Sequence, residues 1–239
     1  MKKALVTGAS GAIGAAICRR MAEQGCHVLV HANSHVQRAE AVVDEIIGCG
    51  GSAEALVFDV TRPEKAASVL ERAAESEPIQ IIVNNAGIHE DAPMVGMALD
   101  AWFGVIDVSL NGFFNVTRPL LMPMIRSRWG RIVNMSSIAG VMGNRGQVNY
   151  AAAKSALHGA TKSLAQELAS RGITVNAVAP GIIQGGMSDQ TFDRERIRSL
   201  VPMKRAGSPA AVAALVAFLC SDEAGYISGQ IIGINGAMA

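Results

Sequence analysis

The stretch KALVTGASGAIG, residues 3–14, decides the fold. KALVT is a short, unbroken apolar run of strand length, and from residue 12 the chain takes on helical spacing. Between the two lies a turn carrying Gly8, Gly11 and Gly14. In a parallel sheet such a turn sits at the carboxyl ends of the strands, where glycines let the backbone approach a pyrophosphate and the helix N-terminus favours its charge. Taken alone, a glycine-rich cluster also fits a plain βα connection.

The same alternation continues outward. Runs rich in Val, Ile and Leu recur as HVLVH (27–31), ALVF (55–58), IQIIV (79–83), RIVNMS (131–136), ITVNAV (173–178) and QIIGI (230–234). Stretches of helical spacing lie at 12–24, 36–48, 63–76, 101–127, 149–170 and 208–220. Continuous apolar strands are buried on both faces, and their alternation with helices is the pattern of a parallel sheet. The expectation is α/β: a single-domain Rossmann fold over 1–239, with a doubly wound seven-stranded parallel sheet and helices on both faces. Ser208 before Pro209 reads as an N-cap followed by an N1 proline, and Arg62-Pro63 opens an earlier helix in a similar way. The least regular part, about 181–201, is expected to be a substrate loop or lid.

Composition narrows the function classes. With 21 basic and 20 acidic side chains the formal net charge is +1, which gives no electrostatic basis for binding nucleic acid or an anionic membrane surface. Mean hydropathy is +0.28, yet the longest apolar run, 210–220, is only about half the ~20 residues of a membrane span. The start MKKALVTGAS lacks a secretory apolar core, so a cytoplasmic location is expected. Cys18, Cys26, Cys49 and Cys220 show no metal-ligand spacing and read as structural thiols; no metal is expected.

Several further motifs follow the glycine turn in order. FDV with Asp59 comes after the third strand, NNAG (84–87) after the fourth, Ser137 after the fifth, YAAAK (150–154) thirteen residues on, and Pro180-Gly181 after the sixth. Together with the spacing TGxxxxxG, this series resembles the short-chain dehydrogenase/reductase family over nearly the whole chain. LVNNAGI-like, GNRGQVNYAAAKSAL, SRGITVNAVAPG and INGAM segments make it most similar to the 3-oxoacyl-acyl-carrier-protein reductase branch.

A Tyr and a Lys four apart share one helical face, but most such pairs are incidental. The chemistry gives this one meaning. Reduction of a ketone needs a proton donor beside a nicotinamide, tyrosine's ordinary pKa of ~10 is high for that task, and an adjacent ammonium favours the phenolate. The resemblance implies Tyr150 as acid/base, Lys154 as its partner and ribose ligand, and Ser137 as the group orienting the carbonyl. It places cofactor contacts at Gly8, Ser10, Ala12, Ile13 and Gly14, at Asn33, at Asp59 and Val60, at Asn85, Ala86 and Gly87, at Tyr150 and Lys154, and at Pro180, Gly181 and Ile183.

The chain departs from the family pattern at two places. Where an asparagine is usual on the central helix, DVSLNGFF places Ser109, and Asn111 points to a different side. In the family that residue acts mainly through its main-chain carbonyl, which a serine retains. Where many relatives carry a cofactor-contacting threonine, PGIIQGGM has Gly185, leaving Gln184 or Ser188 to supply the contact.

No carboxylate ends the second strand, which runs through His31, Ala32, Asn33 and Ser34. An acidic residue there would bind the ribose 2′-hydroxyl and repel a 2′-phosphate, so NADP(H) is the expected cofactor, with NAD(H) as the alternative. Gly11 stands where many NADP-preferring relatives have arginine; Arg38, His31 and His35 are the nearest basic side chains that could meet a 2′-phosphate, and each equally fits an exposed helix residue.

The pocket should be lined from 89–96, 138–147 and 182–200. By resemblance the substrate is a 3-oxoacyl chain on acyl carrier protein, with Arg128 and Arg171 at carrier-docking positions beside the entrance; each equally fits an arginine complementing a helix C-terminus. The resemblance also implies a homotetramer built through 101–127, 149–170 and the last strand, with Phe113, Phe114, Leu120 and Leu121 suited to packing between subunits or against the chain's own sheet. A dehydrogenase of another secondary alcohol, and a non-catalytic dinucleotide-binding protein, are the other readings.

Overall fold

A computed structural model describes residues 1–185 and 193–239. Seven strands form one all-parallel sheet: β1 (Lys3–Val6), β2 (His27–Ala32), β3 (Ser52–Val57), β4 (Ile79–Asn84), β5 (Gly130–Met135), β6 (Ile173–Pro180) and β7 (Ile231–Ile234). Their order is β3-β2-β1-β4-β5-β6-β7. The order reverses between β1 and β4, so the glycine turn and NNAG meet at the switch point, where ligands of open α/β sheets bind.

The connecting helices are α1 (Ala12–Glu23), α2 (Val36–Gly48), α3 (Pro63–Ala73), α4 (Leu99–Ile106), α5 (Gly112–Ser127), α6 (Ile138–Met142), α7 (Val148–Leu168), α8 (Arg194–Leu200) and α9 (Pro209–Leu219). They cover both faces. Ile17, Met21, Val42 and Val216 pack with Ala4 and Val6 on one side, while Leu70, Val116, Leu120 and Leu168 pack with Leu5 on the other. Successive residues of β1 thus feed two cores, which is why its sequence is continuously apolar.

The expected seven strands are all present, with β3 beginning three residues earlier than its apolar run and ending before Phe58. Ser208 caps α9 as expected, its Oγ accepting the Ala211 amide at 3.2 Å. Arg62 precedes Pro63 but makes no side-chain cap; Asp59 instead accepts from the Thr61 amide and hydroxyl just upstream.

Three differences matter for the site. The helix expected over 101–127 is broken by a π-helical turn, Asp107–Asn111, which accommodates one extra residue and turns Ser109 inward to 4% exposure. Asn111 donates to Asp107 at 2.6 Å across this turn, and Gly112 lets Val60 pack against the helix. The short helix α6 had no periodic signal. The irregular stretch 181–201 contains α8, capped by Asp193 accepting the Arg196 amide at 2.7 Å; residues 186–192, and with them Ser188, lie outside the described residues. Among the described residues no helix is long and apolar enough to cross a membrane, and no cluster of potential metal ligands occurs.

Candidate active site

The carboxyl edge of the sheet gathers nearly every residue singled out above. Thr7, the last residue before the glycine turn, organises its centre. Its Oγ1 accepts the amides of Asn85 and Ala86, both at 2.9 Å, and the Asn85 side chain donates to the carbonyls of Thr7 and Gly8 at 2.8 and 3.1 Å. Gly8 takes φ 62°, and a Cβ there would lie 2.9 Å from the Ala86 Cα, so only glycine permits this contact of the two turns.

These residues fit a dinucleotide. Ala12, Ile13 and Gly14 begin α1, whose first turn holds no acidic side chain and whose Gly11 N-cap offers no side-chain oxygen. The positive end of the helix and its unsatisfied amides are therefore available to a diphosphate. Ser10, Asn33, Asp59, Val60, Pro180 and Gly181 lie on the same edge, after β1, β2, β3 and at the end of β6. A Cβ built on Gly185 would touch Ala12 at 3.4 Å, so the segment after β6 does reach the glycine turn.

His31 is not available to a 2′-phosphate. It is 1% exposed, with both ring nitrogens turned inward, and burial lowers its pKa to about 4. A neutral imidazole supplies no charge, which leaves the exposed Arg38 as the cation near Asn33 and Ser34.

Ser137, Tyr150 and Lys154 converge across β5, α6 and α7. Ser137 is the N-cap of α6: its Oγ accepts the Ala139 amide at 3.1 Å, and its hydroxyl acts on the Tyr150 phenol to lower that pKa. Asn149, buried completely, fixes the start of α7 by donating to the carbonyls of Glu90 and Ala101, both at 3.0 Å, and accepting the Tyr150 amide at 2.8 Å. Lys154 donates to the Met135 carbonyl at 2.8 Å, and burial lowers its pKa to about 8. Its Nζ is 5.6 Å from the Tyr150 ring centroid.

The phenol is not drawn down as expected from the Tyr–Lys spacing. Burial raises the Tyr150 pKa, Asp91 adds to the rise, and the Ser137 bond opposes it. Loss of solvation on burial is the largest of these effects and disfavours the phenolate. Tyr150 is consequently held as a neutral proton donor at neutral pH.

Ser109 and Lys154 face the same point. A Cβ on Gly87 would lie 3.2 Å from Lys154 Nζ and 3.6 Å from Ser109 Oγ, and that hydroxyl is buried without a hydrogen-bond partner. The π-helical turn therefore does bring Ser109 to the lysine.

Above Tyr150 opens a pocket of about 390 Å³. Its wall combines Ile138, Met142, Ile182, Ile183 and Leu200 with a polar side in which Asp91 accepts from Gln147 at 2.9 and 3.0 Å, lies 3.0 Å from His89 Nδ1, and Asn144 donates to Gln147. All three expected stretches contribute. Met238, the last residue of the INGAM segment, also lines the pocket and was not among the expected lining residues. Thr7 and Asn149 were likewise missed as supports; their place beside NNAG and YAAAK was the available clue.

Arg128 and Arg171 do not flank this pocket. They precede β5 and β6, at the amino edge of the sheet, one strand length or about 20 Å from Ser137. Arg128 adopts φ 51° at the α5 C-terminus and donates to the Ser170 carbonyl at 3.1 Å, so the helix-terminus reading describes it in the single chain. Leu120 is buried in the chain's own core and Leu121 packs against it, whereas Phe114 stays exposed.

Comparison with known proteins agrees with this geometry. The family model described as short chain dehydrogenase matches residues 2–196. Nodulation protein G of Rhizobium sp. (strain N33) is 42% identical over 241 residues, covering 100% of this chain and 97% of that protein. The 3-oxoacyl-[acyl-carrier-protein] reductase FabG of Staphylococcus aureus (strain N315) is 44% identical over 240 residues, covering 99% and 98%. With the seven-stranded parallel sheet, the glycine turn at its switch point and these full-length similarities, the chain belongs to the short-chain dehydrogenase family and is an NAD(P)-dependent oxidoreductase.

Proposed function

We propose that the protein reduces a 3-oxoacyl thioester carried on acyl carrier protein to the 3-hydroxyacyl thioester, using NADPH, in fatty-acid or polyketide-like chain extension. The observation that carries the reading is the convergence of Ser137, Tyr150 and Lys154 beneath a pocket of about 390 Å³ with one apolar wall, against which an acyl chain would pack beside the reacting carbonyl. The named reductase relative supports the substrate class.

A bound nicotinamide supplies the hydride. Ser137 holds the substrate carbonyl oxygen, and Tyr150, kept protonated by burial, delivers the proton to it. Lys154 holds the ribose and restores the tyrosine's proton through its remaining donors, with Ser109 beside it. The lack of a carboxylate after β2 supports NADPH over NADH, because nothing there repels a 2′-phosphate.

The polar wall of His89, Asp91, Asn144 and Gln147 supports a second reading, a dehydrogenase of a smaller polar ketone or secondary alcohol. The intact serine, tyrosine and lysine weigh against a non-catalytic dinucleotide-binding role. A homotetramer in the cytoplasm completes the proposal: α7 exposes Ala152, Ser155, Ala156 and Gly159, small residues that permit close helix approach, and Phe103 and Phe114 are uncovered nearby in sequence on α4 and α5. Carrier contact through Arg128 and Arg171 would then serve the pocket of a neighbouring copy.

The test is NADPH oxidation with an acetoacetyl thioester, compared between wild type and Tyr150→Phe and between NADPH and NADH. Activity lost in the variant and a higher kcat/KM with NADPH are expected. Substantial activity in Tyr150→Phe would refute the mechanism, and a clear NADH preference would refute the cofactor assignment.

A further inference from the structure

His31 is a buried titratable group that the reaction does not use. Its Nδ1 lies 3.1 Å from the Gly8 amide nitrogen and its Nε2 lies 2.8 Å from the Phe58 carbonyl oxygen. An amide N–H can only donate and a carbonyl can only accept, so the imidazole carries its single proton on Nε2 and offers the Nδ1 lone pair to Gly8. Both nitrogens are thereby engaged by turns from two different strands. The ring also packs on Phe58, with centroids 4.2 Å apart and planes at 51°.

Those two turns sit on either side of β2. One runs from β1 into the start of α1; the other leads from β3 through Asp59 and Val60 into α3. Phe58 has already left the sheet, held by its own amide to the Ala32 carbonyl at 3.3 Å, so the His31 bond is the side-chain link that ties its carbonyl to the glycine turn.

We propose that His31 is a positioning residue for the cofactor, a neutral clamp that fixes the spacing between the glycine turn and the β3–α3 turn so that one dinucleotide spans both. This rests on the assignment of those turns to the dinucleotide. The clamp works only in the neutral Nε2–H form, because a second proton on Nδ1 would face the Gly8 N–H donor to donor. The charged group acting on the ring is Asp59, itself 3.9 Å from Arg62, and burial outweighs its attraction, so the neutral form prevails throughout the working pH range.

The experiment measures the Kd of NADPH, together with KM for NADPH, KM for an acetoacetyl thioester, kcat at saturating NADPH and the melting temperature, for wild type, His31→Asn, His31→Gln and His31→Leu. Asparagine places an acceptor close to the Nδ1 position but leaves the Phe58 carbonyl unlinked, glutamine can donate near the Nε2 position but leaves the Gly8 amide unlinked, and leucine keeps neither bond. All three variants are expected to raise the Kd and KM of NADPH at least tenfold while leaving kcat at saturating NADPH and the ketone KM within twofold. A folded asparagine or glutamine variant whose NADPH Kd stays within threefold of wild type would overturn the clamp, because one retained bond would then suffice, as would a folded leucine variant with an unchanged Kd. If the leucine variant does not fold, the asparagine and glutamine variants still decide. Failure of the wild type to bind NADPH at all would instead refute the assignment of the turns.

Discussion

Replacing Gly140 by alanine tests how closely α6 must approach α7. A Cβ at this position would lie 2.9 Å from the backbone carbonyl carbon of Lys154, 3.0 Å from its Cβ and 3.0 Å from the Ser155 amide nitrogen. Two of these three atoms are main chain of a long helix and cannot swing away. Ordinary contact begins near 3.4 Å, so α6 must retreat by roughly 0.5 Å. Ser137 moves with it, because it is the N-cap of α6 and its carbonyl accepts the Gly140 amide at 2.9 Å. Overpacking of this kind costs about 1–3 kcal/mol. The better helix propensity of alanine returns up to about 1 kcal/mol of this. For a chain of this size the net corresponds to a fall in Tm of up to about 12 °C.

The effect on turnover should be larger than the effect on stability. A displacement of 1 Å in a catalytic group can cost about a hundredfold, so half of that predicts a loss of about tenfold in kcat. The assay is steady-state reduction of an acetoacetyl thioester with NADPH, paired with calorimetry and with direct NADPH binding. Binding should hold within a few-fold, since the glycine turn is not displaced. A variant that keeps kcat within twofold of wild type would refute the idea that α6 packing sets the position of Ser137.

Other outcomes follow from the same geometry. Lys154 is charged below about pH 8 and Tyr150 stays protonated above its ordinary value, so the kcat/KM for reduction should be level at neutral pH and fall as pH rises through about 8; a profile level to pH 9.5 would contradict the role of the ammonium. Ser109→Ala removes a buried hydroxyl without a partner and should leave the Tm of the cofactor-free protein unchanged or higher by about 1 kcal/mol of stability, while Ser109→Asn should change turnover by less than tenfold; calorimetry and steady-state rates check the two. Thr7→Val keeps the shape but strands the amides of Asn85 and Ala86, at a cost of about 2–4 kcal/mol, visible as a lower denaturation midpoint and weaker NADPH binding.

Much of the site was legible because its parts are tied to local sequence. Glycines mark turns that a side chain would block, continuous Val/Ile/Leu runs mark strands buried on two faces, and four-residue spacing places Tyr150 and Lys154 on one helical face. The order of these motifs sufficed for the family and for the α/β sheet. Boundaries and supports were less visible. The π-helical turn at Asp107–Asn111 and the five-residue α6 are too short to carry a period, and the glycines beside and within them pack closely on Val60 and Lys154, which lie far off in sequence.

What the sequence determined by itself was therefore the kind of molecule: a doubly wound parallel sheet with a dinucleotide turn and a serine, a tyrosine and a lysine in family order. Tertiary structure alone decided the electrostatic character of those groups. Burial, which no spacing reveals, keeps Tyr150 protonated, lowers Lys154 to about 8 and makes His31 a neutral link instead of a phosphate ligand. It also put Arg128 and Arg171 at the far edge of the sheet, because residues that precede parallel strands emerge at the end opposite to those that follow them.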